Sequence, residues 1–240
     1  MNRKLRISEV NLVAKIKAVL FDMHGTLVYN DNNVTDVEIS GYLLSKGYEV
    51  SPQQLRAAWA FVSFVDYPEY GYKNWYSFFT RIFWRLRVKV DNETLYTIIE
   101  LLQSRPYQLY SDAATSVRKA RKNGFKTAAV TTIAYFQFEK AIEPIRDCFD
   151  FIMTGYEAGC DKTNPKMYRK VLEVLNVKPE ETFMIGDDIE IDVLLPKRLG
   201  INAILLDREG KIEEEYSQAD AVASNLNEAV QIIIRRSSRS

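Results

Sequence analysis

The sequence predicts an α/β protein: a doubly wound parallel sheet flanked by helices, with an α-helical bundle inserted after the first strand. Three observations carry this. The apolar run Ala18-Val19-Leu20-Phe21 has strand length and breaks abruptly into Asp22-Met23-His24-Gly25-Thr26. Residues 34 to 103 carry four successive helical periodicities, and from 104 onward strand and helix patterns alternate to the end.

Taken in order, Gly25 lets the chain turn sharply at the end of the first strand. Val34-Thr35-Asp36-Val37-Glu38-Ile39 has the spacing of a capping box with a hydrophobic staple, opening a helix whose apolar face continues through Tyr42 and Leu43 to Gly47. Ser51 caps the next helix and Pro52 suits its first position, with Leu55, Ala58, Trp59, Val62 and Val65 as the stripe. Trp75, Phe78, Phe79, Ile82, Phe83 and Leu86 recur at three- and four-residue spacing, the clearest amphipathic pattern of the chain. Asp91 caps a fourth helix with Leu95, Ile98, Ile99 and Leu102 on its face, stopped before Pro106.

The later pattern begins with a helix from Asp112 to Asn123, ended by Gly124, and a strand from Phe125 to Thr131. A helix over Tyr135 to Ile142 leads to a strand over Phe149 to Met153, and Pro165 opens a helix carrying Tyr168, Val171, Leu172 and Leu175. Strands follow at Thr182 to Ile185, Ile201 to Leu206 and near Ala221, and a helix from Ser224 to Ile234 ends in an Arg/Ser tail expected to fray. The domain expectation is an α/β core of residues 13–33 and 104–235 with a helical unit of 34–103; Met1 to Asn11 carries no readable role.

Of 240 residues, 47% are hydrophobic, enough for a substantial core. Thirty-two basic and thirty-two acidic side chains cancel, so no overall field would hold nucleic acid or an anionic membrane, and an anionic ligand must be held locally. The apolar stretches are strand-length, and Arg3, Lys4 and Arg6 are not followed by a signal-like hydrophobic segment, so a soluble cytoplasmic protein is expected. Cys148 and Cys160 have no metal-ligand spacing and read as structural thiols.

The chemistry-bearing residues fall where strands end. Besides Asp22 and His24, these are Thr131-Thr132, Lys162 within Asp161-Lys162-Thr163-Asn164-Pro165, and Asp187, Asp188 and Asp192 within Gly186-Asp187-Asp188-Ile189-Glu190-Ile191-Asp192. Carboxylates for a hard cation, a hydroxyl donor and an ammonium are what phosphoryl transfer requires.

In content and order these segments resemble the four motifs of the haloacid dehalogenase superfamily, with residues 34–103 in the place of its helical cap. The resemblance implies a Rossmann-like core, a Mg2+ cofactor, and a phosphatase of small phosphate esters or acyl phosphates. By it, Asp22 is the nucleophile that forms an aspartyl-phosphate, Thr131 and Thr132 bind the phosphoryl group, and Lys162 neutralises it. Asp187 would bind Mg2+ with Asp22 and the main-chain carbonyl of His24, and Asp192 would orient the cluster from beside it. Asp188 at a helix start reads more simply as a cap.

The departure is His24, which stands where phosphatases of the superfamily usually carry an acid/base aspartate. Histidine can do that work near neutral pH, but a neighbouring divalent cation opposes its protonation. The expectation is therefore weak turnover of alkyl phosphates and better turnover of aryl or acyl phosphates, whose leaving groups need less help.

Rival activities are a haloacid dehalogenase, a phosphonate hydrolase needing a cap lysine such as Lys46 or Lys73, and a catalytically weakened phosphate-ligand binding protein. Trp59, Trp75, Phe79, Phe83 and Trp84 read as bundle core in preference to a substrate platform, whereas Tyr67, Tyr70 and Tyr72, with Pro68 and Gly71, read as a loop facing the substrate.

Overall fold

The computed structural model describes residues 15–212 and 218–238. The basic opening, Met1 to Asn11 and the expected core boundary at 13 lie outside them. Its strands are β1 (Ala18–Phe21), β2 (Val28–Tyr29), β3 (Gln108–Leu109), β4 (Lys126–Val130), β5 (Phe151–Met153), β6 (Thr182–Gly186), β7 (Asn202–Leu206) and β8 (Ala221–Ala223). Six of them form one sheet in the order β5-β4-β1-β6-β7-β8, every pairing parallel. This is the doubly wound arrangement, with β1 inside it.

Helices of the core are α6 (Ala113–Lys122), α7 (Tyr135–Ile142), α8 (Gly155–Ala158), α9 (Pro165–Leu175), α10 (Leu195–Arg198) and α11 (Leu226–Ser237). Side chains of β1 alternate between the two faces. Val19 and Phe21 join Val117 of α6 and Val230 of α11 in one core, while Ala18 and Leu20 join Tyr168, Val171 and Leu172 of α9 in the other. Burial on both faces is why the strand is apolar throughout and does not alternate with polar residues.

The inserted unit contains α1 (Asp36–Ser45), α2 (Pro52–Phe61), α3 (Tyr67–Tyr70), α4 (Trp75–Leu86) and α5 (Asn92–Ser104). The capping box at Thr35 forms, with its hydroxyl accepting the Glu38 amide, and the Ser51 cap forms a second one, with its hydroxyl accepting the Gln54 amide. Ile39, Leu43, Leu55, Phe78, Phe79, Ile82 and Ile98 bury into a core of this unit's own, to which Phe136 of α7 also packs.

Several expectations need correction. A π-helical turn, Val62–Asp66, joins α2 directly to α3, so Tyr67 and Tyr70 lie in helix and not in a loop, and Tyr67 is buried with its hydroxyl 2.8 Å from that of Thr154. The wider turn also rotates the stripe: Val62 stays buried but Val65 is 51% exposed. Trp84 is not bundle core. It is 64% exposed, one residue off the buried face of α4, and the Arg81 guanidinium lies over its ring at 4.2 Å. The antiparallel pair β2 and β3 has only two residues per strand, too few for a periodicity to reveal. The last helix runs on to Ser237, with Arg236 donating to the Asp220 carbonyl at 2.5 Å, where fraying was expected. No helix among the described residues is long and apolar enough to cross a membrane, and both cysteines are free thiols.

Candidate active site

Sheet register brings the separated motifs together. Phe21 at the end of β1 aligns with Ala129 of β4 and Ile185 of β6, so the segments that follow these strands emerge side by side. The Asp22 amide donates to the Ile185 carbonyl at 2.9 Å, carrying the parallel pairing one residue past the strand. The chain then reverses through Gly25 at φ +80°, with Gly25 donating to the Val28 carbonyl and Val28 to the Met23 carbonyl. Glycine is required twice here. A Cβ at position 25 would lie 2.1 Å from Asp187 Oδ2, and one at Gly186 would lie 2.3 Å from Asp192 Cγ.

Lys162 is delivered by a short loop. The Asp161 carboxylate accepts the Thr163 amide at 2.7 Å, Asn164 caps α9, and the Lys162 amide donates to the Thr132 hydroxyl at 3.1 Å. Its ammonium, in a side chain only 2% exposed, pairs with Asp22 Oδ1 and with Asp192 Oδ1, the latter at 2.6 Å. Asp192 sits on a π-helical turn, Ile189–Leu194, whose start is capped by Asp188 through the Glu190 and Ile191 amides at 2.8 and 3.1 Å. The cap reading of Asp188 therefore holds. The Tyr168 hydroxyl donates to the Ile191 carbonyl at 2.6 Å and lies 3.4 Å from Asp192 Oδ1, bracing the turn from α9.

Carboxylate oxygens of Asp22, Asp187 and Asp192 all lie within 4.8 Å of one another. Two of these three carboxyls pair with the one ammonium, and each of the three is raised from its ordinary range. Burial is the first cause for Asp22, opposed by Lys162; for Asp187 it is burial and then the Asp192 charge. Asp192 is pushed up to about 7, by burial first, with Lys162 opposing and Asp22 adding to it. Burial alone would lower Lys162, but the facing charges of Asp192 and Asp22 outweigh it and hold the ammonium above its usual value. Burial, then the Asp192 charge, raises Tyr168 well above the phenol range.

This donor set suits a hard divalent cation, because its excess of negative charge is carried wholly by oxygen. Asp192 is committed to Lys162 and to the Asp188 amide at 3.3 Å, which leaves Asp22 and Asp187 as the side chains with oxygens to offer. Thr26 donates to Asp187 Oδ1 at 3.3 Å. Thr131 is buried, and its oxygen accepts the Ile133 amide at 3.1 Å, so its proton is free to be donated. His24 is exposed, edge-on to the Tyr107 ring at 5.7 Å between centroids, and makes no side-chain hydrogen bond among the described residues.

Sequence reasoning missed Arg208, which follows β7. Its guanidinium donates to the carbonyls of Gly25 at 3.3 Å and Thr26 at 2.8 Å, holds both oxygens of Asp112 at 3.1 Å, and lies 3.8 Å over the Tyr110 ring. Nothing local in Asp207-Arg208-Glu209-Gly210 marks a residue that fastens a turn more than 180 positions away.

A doubly wound sheet whose carboxyl edge gathers a buried aspartate, a buried lysine and a further acidic pair defines an α/β enzyme. Residues 16–200 match the haloacid dehalogenase-like hydrolase family, and the chain belongs to it. It is 29% identical over 128 residues to a phosphoserine phosphatase of Thermus thermophilus, covering 52% of this chain and 51% of that one. It is 30% identical over 129 residues to a glyceraldehyde 3-phosphate phosphatase of Pyrococcus furiosus, covering 51% of this chain and 53% of that one. The chain thus spans about half the length of these relatives. In fold it resembles a 2-haloacid dehalogenase of Pseudomonas syringae pv. Tomato, with TM-score 0.68, 17% identity and coverage of 92% of this chain and 99% of the other.

Proposed function

We propose that this hydrolase is a magnesium-dependent phosphatase of small phosphate esters or acyl phosphates, working through an aspartyl-phosphate on Asp22. The observation that carries the reading is the placement of Asp22, with one oxygen on the Lys162 ammonium and the Asp187 carboxylate beside it. Mg2+ bound by Asp22, Asp187 and the His24 carbonyl would screen these carboxylates from each other and from the incoming phosphate. Asp192 stays outside the ligands and holds Lys162.

In the first half-reaction the Asp22 oxygen not paired with Lys162 attacks phosphorus, and the bond from phosphorus to the leaving oxygen breaks. Lys162 and the Thr131 hydroxyl take up the charge that develops on the phosphoryl oxygens. Thr132 serves mainly by holding the Lys162 loop through its amide. The exposed His24 imidazole protonates the leaving oxygen and then takes a proton from the water that attacks phosphorus, which breaks the bond from phosphorus to Asp22 and releases inorganic phosphate. The helical unit of residues 34–103 acts as the cap that excludes bulk water over the strand ends. A small phosphorylated molecule is the partner; the cancelled charge of the chain favours neither nucleic acid nor an anionic membrane.

Dehalogenation is disfavoured, since a halide leaves without the cation that the Asp22, Asp187 and Asp192 cluster suits. A phosphonate hydrolase is disfavoured because, of the two cap lysines it could use, Lys46 lies over the Tyr42 ring at the end of α1 and Lys73 lines a cavity that Asp22 does not line. Phosphate release from a panel of alkyl, aryl and acyl phosphates is the test. Turnover by the wild type with Mg2+, abolished by chelator and by Asp22→Asn, is expected. Chelator-insensitive halide release, or an Asp22→Asn variant that still turns over, refutes the reading.

A further inference from the structure

A cavity of about 660 Å3 opens between the inserted helices and the α/β core. Neither Asp22, Lys162 nor Asp187 lines it. Tyr107 does, and its ring meets that of His24 edge-on at 5.7 Å between centroids, so a single ring links the cavity to the residue assigned to the leaving oxygen. Its volume falls in the range of about 300–1,000 Å3 typical of sites for sizeable organic ligands, and a three-carbon leaving group would leave most of it empty.

Two features describe what fits. Trp59, Trp75 and Phe136 form an aromatic wall, with Trp75 5.8 Å from Trp59 and 5.1 Å from Phe136 between ring centroids. All three are half-buried: they pack against the core of the inserted unit on one side and border the cavity on the other. Core and platform, alternatives when read from sequence, are here two sides of the same rings.

Charge is the second feature. Arg56, Lys73, Arg105 and Lys140 line the cavity against only Asp36 and Glu139, a local positive excess in a chain of zero net charge. Arg56 is neutralised by Asp36 at 2.7 Å and Arg105 by Glu38 at 2.8 Å. Lys73 and Lys140 have no salt bridge among the described residues, and Glu139 is the lone lining acid in the same condition.

We propose that this cavity receives the leaving group of the substrate, and that this leaving group joins an aromatic ring to a second anionic group read by Lys73 and Lys140. The proposal rests on the phosphatase reading above and adds the substrate class. Rings stack on the Trp59, Trp75 and Phe136 wall, and an anion beyond the ring meets the two unpaired ammoniums.

The test compares 4-carboxyphenyl phosphate with phenyl phosphate at saturating Mg2+. Two partly exposed ion pairs of ordinary strength give about a tenfold preference in kcat/KM for the carboxylated ester, expressed in KM. The double variant Lys73→Met/Lys140→Met is expected to turn over both esters with equal kcat/KM. Calorimetric titration with the products reads the cavity without turnover: 4-hydroxybenzoate is expected to bind about tenfold more tightly than phenol, to the wild type and to Asp22→Asn alike. Hydrolysis of both esters without preference, or equal binding of both products, overturns the substrate class alone. Tight 4-hydroxybenzoate binding with no hydrolysis of either ester overturns the phosphatase reading and leaves the cavity's ligand chemistry standing.

Discussion

Replacing Gly25 by alanine separates the two demands that the active-site turn makes on that residue. The first is conformational: at φ +80° an L side chain costs about 1–2 kcal/mol. For a chain of this size that corresponds to a fall in Tm of about 2–8 °C. The second is a collision. The new Cβ would lie 2.1 Å from Asp187 Oδ2. The carboxylate must retreat by about 1 Å, and displacements of that size at a reacting centre cost on the order of 100-fold in rate. Gly47 supplies the control, since it has φ +85° with no atom within 4 Å of an added Cβ. Gly47→Ala carries the strain without the collision. Thermal unfolding and Mg2+-dependent phosphate release are measured on both variants. Similar losses of Tm are expected, but about a 100-fold fall in kcat/KM and a raised half-saturating Mg2+ concentration only in Gly25→Ala. Full activity in Gly25→Ala, or an equal loss in Gly47→Ala, would refute the argument that Asp187 is held against this turn for catalysis.

Other outcomes follow from the same geometry. Arg208→Lys should lower kcat/KM at least tenfold, because one ammonium cannot span two carbonyls and both Asp112 oxygens as the guanidinium does; steady-state assays with an unfolding curve detect the loss and separate it from destabilisation. His24→Asp should raise turnover of alkyl phosphates relative to aryl phosphates, and a fall would mean that the imidazole has a role of its own. Asp91 caps α5 through the Thr94 amide, and this bond, followed by that from the Tyr48 hydroxyl, holds its carboxyl down at about 2. Because the folded value lies below the unfolded one, its stabilisation is present above about pH 4 and lost as pH falls toward 2. Unfolding curves of Asp91→Ala should therefore lie below the wild type at neutral pH and converge with it near pH 2.

How much was legible depended on the range of the interaction. Thr35 with Glu38, Ser51 with Gln54 and the Asp91 cap each close within four residues, so their helices could be read directly. The apolar β1 run announced a strand buried on both faces. Tyr67 misled because the π-helical turn before it changes the helical period by a single residue, and Pro68 and Gly71 then looked like loop punctuation. Trp84 misleads because its residue type points inward, whereas its position on α4 places it outside, under Arg81.

The chain alone revealed which chemical groups the candidate active site contains and that they follow strand ends, since motif residues and strand periodicity are both local properties. It also fixed the odd place of His24 among them. It took the folded chain to bring Lys162 between Asp22 and Asp192, to fasten the turn at Gly25 with Arg208, and to set Trp59, Trp75 and Phe136 along a cavity. Those relations join residues up to 183 positions apart, and they come into being only when parallel strands align their ends and the inserted helices settle against the core.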